Sequence, residues 1–123
     1  MGVGIEARAC PCGSASYDGC CGPLHRGEAR ASTPEQLMRS RFSAYAIGDT
    51  GYVWRTWHPR TRPERVDPGT DTHWTRLEII EAAEDVVEFR AHFDRPGGPG
   101  VLYERSRFAE RAGRWFYPDG EVG

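Results

Sequence analysis

The sequence predicts an α+β fold: helices packed on one face of a curved antiparallel sheet, preceded by a small cysteine-rich knuckle. Three observations predict it. All four cysteines lie close together near the N-terminus, as Cys10-Pro11-Cys12 and Cys20-Cys21. A helix-start signature at Thr33 opens a stretch of helical periodicity. From residue 74 onward, apolar positions alternate with a period of two between turn residues, the pattern of a strand meander.

Length and charge bound the reading. At 123 residues the chain suits one domain with a small appendage, and it is too short for an eight-unit βα barrel. Leu, Ile, Val and Phe supply only 20 residues, but four Trp and five Tyr add large apolar surfaces, so the expected core is aromatic-rich. The net charge of −2 argues against disorder. All 16 basic residues are arginine, a bias that GC-rich coding produces without any functional demand. Residues 1–65 carry 9 Arg against 6 acids, and residues 66–123 carry 7 against 12. With a pI near 6.1, nucleic-acid binding through the arginines is disfavoured. No apolar run reaches membrane-span length, so no membrane role is expected. The residues ahead of Cys10 show no apolar leader, and Glu6 breaks the myristoylation pattern; the expected location is cytoplasmic.

Four clustered thiols can close a tetrahedral shell around Zn²⁺ or form two disulfides. A cytosolic chain favours the metal. Cys10, Cys12, Cys20 and Cys21 are therefore the candidate ligands. Gly13, Gly19 and Gly22 permit tight turns around them, and Ser14 is a candidate hydrogen-bond donor to the sulfurs. His25 is a reserve ligand or an ordinary surface or packing histidine. A shell of four thiolates leaves no open position, so the zinc is expected to be structural. Residues 1–28 form the knuckle and its linker, and residues 29–123 the main domain.

Residues 21–30 read as a loop. Thr33 is the expected N-cap, with Pro34 at the first helical position and Gln36 closing a capping box. Leu37, Met38, Phe42, Tyr45 and Ala46 give the apolar face; Arg39, Ser40 and Arg41 are expected to point elsewhere, and Gly48 to stop the helix. Asp49 or Thr50 then caps a shorter helix through Trp57, ended by His58-Pro59. A loop follows to residue 72. Strands are predicted at 74–82, 86–93 and 101–110. A fourth begins after the turn Ala112-Gly113 and ends at Pro118-Asp119-Gly120.

Several stretches together resemble the bacterial YchJ family: Cys-Pro-Cys-Gly-Ser, Cys-Cys-Gly-Pro-Leu-His, Leu-Met-Arg-Ser-Arg-Phe-Ser-Ala-Tyr-Ala, Thr-Trp-His-Pro-Arg, Glu-Arg-Ser-Arg-Phe and Gly-Arg-Trp-Phe-Tyr. The N-terminal piece resembles the SEC-C motif, a zinc-binding module also found in the secretion ATPase SecA. The second pair is Cys-Cys where the SecA form has Cys-His, and Ala15 stands where glycine is usual. The resemblance implies a cystatin-type, nuclear-transport-factor-2-like cone behind a zinc knuckle. It brings no reaction with it.

Cones of this kind hold ligands between sheet and helices. Glu104 and Ser106 share a strand face with Leu102 and Phe108, so Glu104 is expected to be buried and either paired or protonated. It is a general acid/base or ligand anchor on one reading, and an internal salt bridge to Arg39 or Arg41 on the other. Tyr45, Trp54, His58, Trp74, Trp115 and Tyr117 are the further pocket candidates. His73 and His92 have no metal spacing, and no nucleophile motif appears. Two functions compete. In one, a non-enzymatic module uses its zinc knuckle to dock a protein or ribosomal partner. In the other, the cone takes a small molecule around Glu104 and His58.

Overall fold

The computed structural model describes residues 8–67 and 69–122. Three helices, α1 (Cys21–His25), α2 (Pro34–Ile47) and α3 (Thr50–Arg55), precede four strands. The strands are β1 (His73–Ala83), β2 (Val86–Asp94), β3 (Gly100–Arg111) and β4 (Arg114–Val122). They form one antiparallel sheet in sequence order, so the predicted meander is the observed one.

Local chemistry explains the helix boundaries. Thr33 Oγ1 accepts from the Gln36 N–H at 3.1 Å, with Pro34 at the first helical position. The Gln36 side chain accepts from the Ser32 N–H at 2.7 Å, so the box closes one residue earlier than predicted. Gly48, at φ +82°, takes the left-handed conformation that ends α2. Asp49 caps α3 through Oδ1, which accepts from the Tyr52 N–H at 3.0 Å.

Three expectations are corrected. The loop expected at residues 21–30 opens with helix α1, five residues and therefore too short to show a period. Helix α3 ends at Arg55, short of His58-Pro59, because residues 56–58 pair with the edge of β4 instead. Tyr117 N–H donates to Thr56 O at 2.9 Å and His58 N–H donates to Tyr117 O at 2.8 Å. Strand β4 runs past Pro118 to Val122. Arg107 faces Asp119 and Ala109 faces Phe116, so Tyr117 and Pro118 together oppose Phe108. Pro118 thus sits in a bulge, where a missing N–H costs no ladder bond.

Two further bulges interrupt β1, at Thr75 and Ile80. Bulges bend strands and re-aim side chains, and Ile80 stays exposed as a result. Leu77, Val87, Phe89, Ala91 and Phe108 form the buried face of the sheet, against Leu37, Met38, Phe42 and Val53 of the helices. α2 packs against α1, α3 and the sheet. A helix enclosed on so many sides buries more than its apolar stripe, which corrects a fourth expectation. Ser40 and Arg41 point inward, at 0% and 3% exposure.

Candidate metal centre and cone cavity

The four cysteine Sγ atoms lie within 4.8 Å of one another. Cys12 Sγ is 3.6 Å from Cys20 Sγ, and Cys20 Sγ is 3.8 Å from Cys21 Sγ. A tetrahedron with Zn–S bonds of about 2.3 Å has sulfur–sulfur edges of about 3.8 Å, whereas a disulfide needs about 2.05 Å. All four thiols are free, and Cys10, Cys12 and Cys21 are buried. The donor set fits a tetrahedral, thiophilic cation.

The backbone builds this cluster through short turns. Gly13 N–H donates to Cys10 O at 2.9 Å, and Cys10 N–H to Ser14 O at 3.0 Å. Cys20 and Gly22 N–H groups both donate to Tyr17 O, at 3.1 and 2.8 Å. A Cβ on Gly22 would lie 2.9 Å from that carbonyl, so only glycine fits there. α2 supplies the outer contacts. Ser43 Oγ lies 3.3 Å from Cys10 Sγ, and Arg39 Nη1 donates to Cys12 O at 3.1 Å. The neighbouring Cys21 thiol holds Cys12 down at about 4. Cys21 is pushed up by its bond to Cys12 and by burial, and Cys20 by burial first.

His25 is a packing residue within this structure. Its Nε2 lies 2.8 Å from Ser40 O, a pure acceptor, so Nε2–H donates. Nδ1 lies 2.6 Å from Tyr17 OH and shares a hydrogen bond with it. Arg55 donates to His25 O at 2.6 Å, and the His25 ring packs 4.7 Å from that of Tyr52. The knuckle is thereby fastened to α2 and α3. The packing role of His25 is one of those expected from sequence; the inward turn of Ser40 is not, because a polar residue interrupting a helical apolar face reads as solvent-facing.

On the other side of α2, between it and the sheet, lies a cavity of about 310 Å³. Its wall includes Tyr45, Trp74, Glu104 and Tyr117 from the predicted set, together with Arg41 and Trp57. Glu104 Oε2 accepts from Ser106 Oγ and, at 3.0 Å, from Tyr117 OH. Burial and the neighbouring Glu104 push the Tyr117 hydroxyl up. The predicted salt bridge from Glu104 to Arg39 or Arg41 is absent among the described residues. Arg39 instead pairs with Glu35 at 2.8 Å on the knuckle side. Arg41 Nη1 donates to Val53 O at 2.9 Å and to Thr56 Oγ1 at 2.8 Å, with its guanidinium over the rings of Tyr117 and Trp57. Burial pulls the Arg41 guanidinium below its ordinary value.

Four predicted residues lie outside that cavity. Ser106 is fully buried behind Glu104. Trp54 donates from Nε1 to Pro63 O at 3.0 Å and carries the Arg62 guanidinium 3.6 Å above its ring. His58 lies in a separate surface hollow with Arg60, Glu110 and Arg111. Trp115 lines another hollow, of about 220 Å³, with Leu24 of α1 and Tyr52 of α3. His92 is on the opposite sheet face, 2.6 Å from Glu78.

A family model described as the YchJ middle NTF2-like domain matches residues 33–120. A UPF0225 protein of Deinococcus radiodurans is 51% identical over 114 residues, covering 91% of this chain and 88% of that protein. A UPF0225 protein of Streptomyces coelicolor is 49% identical over 120 residues, covering 91% and 94%. The solution structure of a SEC-C motif containing protein from Rhodopseudomonas palustris is similar at a TM-score of 0.83 and 36% identity, covering 94% of this chain and 99% of that one. The crystal structure of a SEC-C motif containing protein from Psychrobacter arcticus gives 0.78 and 27%, covering 96% and 84%.

Proposed function

Because the chain belongs to the YchJ-like UPF0225 family, with a SEC-C motif ahead of an NTF2-like domain, we propose that it is a small-molecule-binding cone braced by a structural zinc site. Cys10, Cys12, Cys20 and Cys21 hold the ion. Bound zinc supplies cross-linking there, with no free coordination position for a reacting water. The knuckle it closes grips α2 through Ser43, Arg39 and Ser40. α2 in turn presents Met38, Arg41, Phe42 and Tyr45 to the cavity.

The observation that carries the reading is the cavity itself. About 310 Å³ is at the lower end of the range for small-ligand sites, roughly 300–1,000 Å³. Its apolar and aromatic wall bears few polar groups, as such sites do. Titration of ¹⁵N-labelled protein with indole, an uncharged apolar probe, tests it. Saturable shifts confined to residues around Phe42, Phe89 and Leu102, abolished by Ala91→Leu, are expected. Shifts scattered over the surface, or none, would refute it.

A second reading, docking of a protein or ribosomal partner, is favoured by the hollow beside Trp115. There Arg30, Arg55 and Arg114 cluster with α1 of the knuckle and form no ion pairs among the described residues. Affinity capture with Arg55→Glu/Arg114→Glu as the control tests it; a partner retained equally by both proteins counts against it.

A further inference from the structure

Opposite charges share the cavity wall without meeting. Arg41 is 3% exposed and forms no ion pair among the described residues. Its recorded hydrogen bonds use only Nη1, which leaves the other guanidinium N–H groups without a described partner. Glu104 is 8% exposed and takes both of its hydrogen bonds among the described residues on Oε2, leaving Oε1 without one there. Trp57, also on the wall, has a buried indole N–H with no partner among the described residues. The Arg41 guanidinium sits 5.3 Å from the centre of the Trp57 ring, so these two donors are neighbours. Of these atoms only the Trp57 N–H is fully buried without a partner among the described residues; the unused edges of Arg41 and Glu104 keep some access, and a ligand on the cavity wall can pair them.

The charge balance narrows the ligand. A monoanion would complete Arg41 but would leave the cavity with a net negative charge beside Glu104. A monocation would complete Glu104 and be repelled by Arg41. Both leave a buried charge uncompensated. Among charged ligands, a molecule with an acidic and a basic end, and no net charge, suits both. The remaining wall, including Phe42, Trp74 and Phe89, demands an apolar body. Resting on the ligand-binding reading above, we propose that the cavity takes a zwitterionic amino acid with an aromatic side chain. Its carboxylate meets Arg41, and its ammonium meets Glu104.

Three probes with one carbon skeleton test this: L-phenylalanine, 3-phenylpropionate (no ammonium) and phenethylamine (no carboxylate). Each is titrated at neutral pH into ¹⁵N-labelled, zinc-loaded protein, with the Trp57 indole N–H as reporter. L-phenylalanine is expected to bind about tenfold more tightly than either relative. Glu104→Gln, with its fold checked by the same spectrum, should reverse the order in favour of 3-phenylpropionate. Equal or tighter binding of a singly charged probe to the unaltered protein would overturn the assignment, as would an unchanged order in Glu104→Gln. If that variant does not fold, the order on the unaltered protein decides alone. Indole binding without L-phenylalanine binding would sink the ligand class and spare the cavity reading; failure of all four compounds would sink both.

Discussion

Phe42 and Ser43, consecutive on α2, serve opposite sides of the molecule. Phe42 lines the cone cavity, and Ser43 Oγ lies 3.3 Å from Cys10 Sγ in the cysteine cluster. Just before them, Arg41 and Arg39 divide in the same way, Arg41 toward the cavity and Arg39 onto Cys12 O. Whatever fixes the knuckle therefore fixes the helix that shapes the pocket.

Removing one ligand tests that coupling. Cys12→Ser should reduce zinc from one ion per chain to well below one, measured by elemental analysis. It should also lower the melting temperature of the whole domain, because Cys12 is 1% exposed and belongs to the common core. The expected loss is at least 3 kcal/mol, about the upper range for a single substitution. Loss of metal with an unchanged melting temperature would show that knuckle and cone are independent.

His25→Ala separates fastening from ligation. The substitution leaves Tyr17 OH without its partner and removes the second hydrogen bond on Ser40 O, which keeps only its intrahelical one, in a buried setting. A cost of about 2–4 kcal/mol is expected in urea denaturation. The zinc content should stay at one per chain. A fall in zinc content in the folded variant would instead make His25 a ligand.

Much of this arrangement can be read from local chemistry. Thr33, Pro34 and Gly48 mark α2 because caps depend on a few adjacent residues. Glu104 is legible as buried because strand parity puts it beside Leu102 and Phe108. The thiols are legible because their spacing is short. Burial of Ser40, Arg41 and His25 is not, because it follows from how many neighbours enclose α2. The bulge at Tyr117-Pro118 is equally hidden, since it exists only relative to Phe108 on the partner strand. Composition alone does not say which tryptophan faces which hollow, so the sequence does not separate Trp54 and Trp115 from Trp74.

Metal affinity should depend steeply on pH. Cys20 and Cys21 have thiols pushed above their ordinary values, so both are protonated at neutral pH before the ion binds. A thiolate ligand must lose its proton, and each proton displaced costs about tenfold in apparent affinity per unit fall in pH. Two such protons give a fall of at least about a hundredfold from pH 7.5 to 6.5. Competition against a chromophoric chelator measures it, and a pH-independent affinity would contradict the protonated pair.

The two hydroxyls on Glu104 make a final, quantitative test. Ser106 Oγ and Tyr117 OH both donate to Oε2, and Ser106 is fully buried. Hydrogen bonds to a charged group contribute about 1.5–3 kcal/mol. Ser106→Ala should therefore destabilise the fold by about that much in urea denaturation. Tyr117→Phe should cost less, because water or a ligand in the cavity can replace a donor at its wall, whereas nothing reaches the site behind it. Donors to one oxygen partly substitute for each other, so the double variant should differ from the sum of the single ones by about 0.5–3 kcal/mol. Strict additivity would mean that the two hydroxyls do not share the carboxylate in solution, and the charge pattern assigned to the cavity would then need a different anchor.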